Sequence, residues 1–240
     1  MRLLSYLILL IAFLSGCSDD SISPSGEFES ESNETQFVVV STQTGLNVEN
    51  TNGTITISVS DTATGVSCDI KKKVVSKISE GDAQSHLSDI IVSVTGNNPN
   101  VEIEVSNPSN DNRNYEISLD ILLPDNFNFN LNLGNGNVTV NSTTKNLVIS
   151  LGNGNVESNV ILTDTCFSSV SIGNGNLNFT IPDSTNAILV ASVGNGLISN
   201  NGLNFQNQQI TSRQFIGTLG NGIGNIALSV GNGNITMNKR

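Results

Sequence analysis

The sequence predicts an all-β chain wound as a single-stranded parallel β-solenoid, or β-helix, and two observations carry that prediction. Gly-Asn-Gly recurs with its first glycine at Gly134, Gly152, Gly173, Gly194, Gly220 and Gly231, in steps of 18, 21, 21, 26 and 11 residues. Between the motifs apolar and polar residues alternate with period two, as in a half-buried strand. That alternation changes phase at the motif: the odd step from Leu133 to Val138 repeats from Leu151 to Val156, Ile172 to Leu177 and Val230 to Ile235. In a straight strand an odd step puts two side chains on opposite faces. A corner at each motif, where glycine takes positive φ cheaply, restores both apolar sets to one interior.

The corners are Gly134-Asn135-Gly136, Gly152-Asn153-Gly154, Gly173-Asn174-Gly175, Gly194-Asn195-Gly196, Gly220-Asn221-Gly222 and Gly231-Asn232-Gly233, with Asn52-Gly53 as an earlier one. Asn-Gly also suits a tight hairpin, so an antiparallel meander or sandwich is the alternative. The interval near 20 residues exceeds the roughly 8–12 of sandwich turns and favours coils. Stacked coils would set Asn135, Asn153, Asn174 and Asn195 in a ladder at about 4.7–4.8 Å spacing. The 11-residue step to Gly231 then reads as half a coil or a terminal cap. The expected lining includes Leu147, Ile149, Leu151, Val170, Ile172, Leu177, Phe179, Ile188, Val190, Ile226, Leu228 and Val230.

In chain order, residues 1–16 read as a lipoprotein signal peptide. Arg2 precedes an apolar run from Leu3 to Leu14, and Leu14-Ser15-Gly16-Cys17 resembles a bacterial lipobox with Cys17 as the lipidated residue. A 12-residue helix of about 18 Å falls short of the ~30 Å hydrocarbon core, so a tether rather than a permanent span is expected. Residues 17–36 carry Asp19, Asp20, Glu27, Glu29, Glu31 and Glu34 without a basic residue and read as an acidic flexible tether. The domain proper is expected over 37–240, less regular over 37–125 and in regular coils over 126–240. Strand-like segments in the first half are Phe37–Val40, Leu46–Val48, Thr54–Ile57, Val101–Val105 and Tyr115–Leu119.

Three segments together resemble the bacterial putative-adhesin domains of unknown function related to the "head GIN" group. They are Val48-Glu49-Asn50-Thr51-Asn52-Gly53-Thr54-Ile55, Ile117-Ser118-Leu119-Asp120-Ile121-Leu122-Leu123-Pro124 and the Gly-Asn-Gly repeats. The resemblance covers roughly residues 37–240. It implies a β-solenoid and an adhesion role, and it supplies no catalytic residues.

Composition narrows the chemistry. The net charge of -11 argues against nucleic acid, whose affinity rests on Lys and Arg neutralising phosphates. Polysaccharide cleavage usually needs two carboxylates about 5–9.5 Å apart. Glu157 and Asp164, or Glu102 and Glu104, are the candidates, and each reads better as a solvated acid. Turns carrying Asn rather than Asp do not suit calcium, and lone His86 with Cys68 and Cys166 makes no zinc set. No metal, cofactor or catalytic residue is expected. Cys68 should point into the core and Cys166 likewise, bridged or free. Lys71, Lys72, Lys73 and Lys77 read as a charged edge strand.

The sequence thus predicts a non-enzymatic adhesion or interaction module. It is expected to be anchored through Cys17 to the bacterial cell envelope, at the outer membrane or cell surface with a periplasm-facing placement as the alternative, and to have a glycan or envelope protein as partner. A carbohydrate-active enzyme and a passive scaffold or signalling partner are the alternatives.

Overall fold

The computed structural model describes residues 26–108 and 112–240. The leader, Cys17 and the first part of the expected tether lie outside the described residues. No helix among the described residues is long and apolar enough to cross a membrane. The described chain is almost entirely extended. Its strands are β1 (Phe28–Val39), β2 (Gly45–Val59), β3 (Gly65–Ser76), β4 (Ile91–Asn97), β5 (Asn100–Ser106), β6 (Arg113–Leu123), β7 (Asn128–Asn174), β8 (Leu177–Ile181), β9 (Ala187–Asn195), β10 (Ile198–Asn201), β11 (Gln206–Ile210), β12 (Gln214–Leu219), β13 (Gly224–Asn232) and β14 (Ile235–Lys239). One short helix, α1 (Glu80–Ser85), follows β3.

All fourteen strands join one open, mixed sheet. Parallel pairing dominates its middle: β2 runs beside β7 from Gly45↔Asn128 to Ser58↔Asn141, and β13 lies between β7 and β9. Downstream of the bends β7 pairs with β8, β8 with β14 and β14 with β10, again in parallel. Antiparallel pairing closes the ends, in β1–β3–β6, β4–β5 and β9–β12–β11. The uniform parallel solenoid expected from the repeat is therefore corrected to a mixed sheet. The repeat holds the parallel middle, β5 and β6 add to it in parallel beside β2, and antiparallel partners flank both.

The bend is gentler than a corner. Strand β7 stays extended through Gly134-Asn135-Gly136 and Gly152-Asn153-Gly154 and coils back on itself at those spacings. At Gly136 φ is +134°, which L side chains rarely adopt, and an added Cβ would strike the carbonyl oxygen of Gly53 in the rung below. Gly134 has no φ requirement but sits against the Thr51 carbonyl, so a side chain there would push the rungs apart. The kink does what the odd step demanded: Leu131, Leu133, Val138 and Val140 are all buried in one hydrophobic core.

Two features of the repeat differ from expectation. Gly220-Asn221-Gly222 is no rung bend: Gly220 and Gly222, at φ +53° and +67°, form the turn from β12 into β13, and the Asn221 amide bonds Asn186 Oδ1 at 3.1 Å. The 11-residue step is thus no half coil. The rungs also stack out of chain order, because β13 and β14 fill a slot between the β7/β8 rung and the β9/β10 rung. Within β9, Ile188 is 41% exposed, while Ala187, Leu189, Ala191 and Val193 are buried. Val190 is likewise off the core. Apolar residues of both parities there leave the phase to the neighbours, and pairing of Leu189 with Ile226 sets it.

The expected tether folds from Phe28 onward. Glu27, Glu29, Glu31 and Glu34 meet Lys77, Lys73, Lys71 and Lys72 at 3.9, 3.1, 2.9 and 3.1 Å. The lysine-bearing β3 is accordingly an interior strand between β1 and β6, not an edge. Each surface pair contributes little, but three diagonal pairs along an antiparallel ladder, with Glu27–Lys77 just past its end, fix which strand lies there.

Because Gly136 and Gly154 combine positive φ with a carbonyl at van der Waals contact, Gly136→Val or Gly154→Val should destabilise the protein. The expected loss is about 3 kcal/mol or more, from strain of ~1–2 plus overpacking of ~1–3 kcal/mol. Urea melts of both variants measure it, and midpoints equal to wild type would refute the close-stacking account.

Candidate functional site: the asparagine face

The bends place one asparagine per rung in register. Asn135 Nδ2 donates to Asn52 Oδ1 at 2.8 Å, Asn153 to Asn135 at 2.8 Å and Asn174 to Asn153 at 2.8 Å. Asn232 then donates to Asn174 and Asn195 to Asn232, each at 2.7 Å. The ladder expected from the sequence forms, with Asn52 added at one end and Asn232 interposed before Asn195. Asn221 stands apart in its turn.

A second ladder runs beside it, which the sequence reading did not single out. Asn155, Asn176 and Asn234 each donate Nδ2 to the asparagine of the rung below, Asn137, Asn155 and Asn176, at 3.2, 3.2 and 3.3 Å. The same oxygens accept backbone amides at 3.1 Å, so each amide side chain ties two rungs together. The fourth residue of Gly-Asn-Gly-Asn was the available signal. Where that residue is Leu197 the side-chain ladder stops, and only the Leu197 amide bonds Asn234 Oδ1, at 2.9 Å.

Beyond the ladder the outward residues of the downstream arms form a polar face. Pairing aligns Thr56 with Thr139, Glu157 with Asn178, Asn178 with Thr236 and Thr236 with Ser199. The 18-residue offset of the ladders sets Thr139 beside Glu157. An open groove of about 690 Å³ crosses this face over four rungs. Glu157 is the one carboxylate among the groove's lining residues. Hydroxyls, amides and one acid can hold a ligand by many weak hydrogen bonds.

The other residues considered from sequence lie elsewhere. Glu102 Oε1 accepts from Asn47 Nδ2 at 2.8 Å on the upstream arms. Asp183 accepts from Asn204 and from Lys239 Nζ at 3.0 Å, and these bonds hold its carboxyl below the usual range. Cys68 and Cys166 are both buried and are not bridged to each other. Burial first, then nearby Asp69, Asp120 and Glu34, push the Cys68 thiol up to about 12, so it stays protonated at neutral pH.

His86 closes the C-terminal end of α1 beside Asp89. Asp82 on α1, which no sequence pattern singled out, accepts a fork from Arg113 Nε and Nη2 at 2.8 and 2.7 Å. Those bonds, with one from the Ser76 hydroxyl, hold Asp82 at about 2 and pin the helix to the start of β6.

Fold and face together define a class: an all-β protein of stacked, bent rungs with a largely uncharged polar face. Among the described residues no group of three or more His, Cys, Asp or Glu is placed to hold a metal ion. No protein-family model matches the chain, and no curated protein matches it in sequence. Solved structures do. A "putative cell adhesion protein" from Clostridium sporogenes superposes with a TM-score of 0.54 at 16% identity, covering 87% of this chain and 100% of that one. A "putative adhesin" from Bacteroides fragilis matches at TM-score 0.29 and 10% identity, over 87% and 98% of the two chains. A "putative lipid binding protein" from Parabacteroides distasonis matches at 0.22 and 11%, over 87% and 96%. The resemblance to putative-adhesin domains read from the Gly-Asn-Gly repeats is thus met in the fold.

The Asp82–Arg113 fork makes a pH prediction with a definite sign. A carboxyl lowered on folding stabilises above its unfolded value near 4, and that contribution is lost as pH falls toward about 2. Asp82→Asn should be less stable than wild type in urea melts at pH 6, with the gap closing by pH 2. A gap independent of pH would show that the fork does not act through the ionised carboxylate.

Proposed function

We propose that this chain is a non-enzymatic adhesion or interaction module of the bacterial envelope, held at the outer membrane or cell surface by lipid on Cys17. It works through the asparagine face. In this reading the bent parallel rungs are a short solenoid, closed at its ends by antiparallel strands, that carries the face outward. One observation carries the proposal: six asparagines in an unbroken side-chain ladder stiffen a surface that is almost free of charge in a chain of net charge -11. A rigid polar face loses little side-chain entropy on binding. Paired-carboxylate cleavage would need a second acid beside Glu157, and the groove's lining provides binding groups instead. The fold shared with a protein described as a putative cell adhesion protein supports the same reading.

Anchoring and adhesion are tested separately. In a bacterial host fed an alkyne fatty acid, the full chain should take up label and sediment with membranes, and Cys17→Ala should do neither. Label retained by Cys17→Ala would remove the anchor. Beads coated with the protein should be retained on intact bacterial cells, and Thr139→Ala/Asn178→Ala/Thr236→Ala on the face should retain at least tenfold fewer. Equal retention would show that contact is made elsewhere.

A further inference from the structure

The outward residues do not all have the same task. Ladder asparagines spend their carbonyl oxygens and one N–H each on neighbouring rungs. The rank beside them, Thr56, Thr139, Glu157, Asn178, Thr236 and Ser199, is different. None of these six makes a side-chain hydrogen bond or ion pair with another described residue. Six polar side chains are thus aligned at the inter-strand spacing of about 4.7–4.9 Å on a rigid sheet, with their hydrogen-bonding capacity unspent. Each ladder amide adds a second N–H along the same groove, because an Asn Nδ2 carries two hydrogens and the ladder uses one.

The chemistry of the row selects its occupant. A protein partner would want aromatic or arginine anchors at the centre of the contact, and the groove is lined by neither. Phosphate polymers need Lys or Arg, which the lining also lacks, and Glu157 repels them. Hydroxyls and amides that both give and accept hydrogen bonds match a ligand with the same mixed capacity and no charge. Glu157 can accept from two adjacent hydroxyls at once.

We infer that the groove along Thr139, Glu157, Asn178 and Thr236 binds a neutral, extended polysaccharide lying along the stack, across the strands, one rung to about one sugar. This rests on the adhesion reading above and names its ligand class. Binding is weak per rung and gains by repetition. The groove, at about 690 Å³ over four rungs, is within the usual ligand-site range of roughly 300–1,000 Å³.

The test is titration of the full chain with β-1,4-linked glucose oligomers of two, four and six units, with heparin as the anionic probe. Affinity should rise at least tenfold from the dimer to the hexamer, and heparin should not bind. Thr139→Ala/Asn178→Ala/Thr236→Ala should weaken hexamer binding at least tenfold at an unchanged melting temperature, and Glu157→Gln about threefold. Ser229→Ala, exposed on the upstream arms, should change nothing. No hexamer binding at millimolar concentration, equal binding by the triple variant, or preference for heparin would each overturn the inference. If the hexamer fails to bind while the triple variant still loses bead retention on cells, the adhesive face stands and the ligand class falls.

Discussion

The constraint on which the structure depends is the approach of backbone to backbone at the bends. Gly136, Gly154 and Gly175 stack so that each faces the carbonyl oxygen of the glycine below, with Gly233 and Gly196 continuing the column and Gly53 at its foot against the Ile117 carbonyl. No side chain fits between them. Removing the Cβ is therefore what lets the sheet continue around the bend without breaking its register. It is also what brings the asparagines within hydrogen-bonding distance. The ladder follows from the glycines, and the flat face follows from the ladder.

This dependence explains why the C-terminal rung can be laid down out of sequence. The slot filled by β13 and β14 lies between β7/β8 on one side and β9/β10 on the other, and all three rungs carry the motif. Each Gly-Asn-Gly bend presents a glycine Cα and an Asn Nδ2 on one side and a glycine carbonyl and an Asn Oδ1 on the other, so the opposing sides of any two bends are complementary. A rung can thus dock wherever two such surfaces wait, whatever its place in the chain. The turn at Gly220–Gly222 redirects the chain after β12 so that it can do so. Nearest-neighbour stacking of this kind makes stability a sum over adjacent rungs, and the inserted rung supplies two such interfaces.

Much of this was legible in the sequence where one residue type had one possible role. The odd apolar step across Gly-Asn-Gly required a bend, and Leu133 and Val138 are both buried as it demands. Asn135, Asn153 and Asn174 stand in line because their spacing matches a coil. Legibility failed where the same residues admit two conformations. Gly220-Asn221-Gly222 carries the motif but lacks the flanking alternation, so its glycines take left-handed turn geometry. Ile188 sits in a run apolar at both parities, and only its partners fix which face is buried. The acidic stretch before residue 37 cannot fold alone, and the lysines that order it are about forty residues away. Composition describes a segment's autonomy, not its fate beside a complementary strand.

The distribution of charge then acquires a structural meaning. Four Glu–Lys pairs lie between β1 and β3, at the end of the sheet where an unprotected strand edge would otherwise begin. Charged end strands discourage further sheet growth, which a stack of identical glycine bends would invite. With the charges gathered there, the middle rungs can present hydroxyls and amides with little electrostatic preference. An uncharged face has little long-range attraction and little screening by salt, so its selectivity must come from spacing. Spacing is what the glycine column controls, since the distance between side chains on the face equals the distance between backbones at the bend. A substitution that loosened the bends would therefore blunt recognition across the whole face before it unfolded the protein, even with every outward side chain in place.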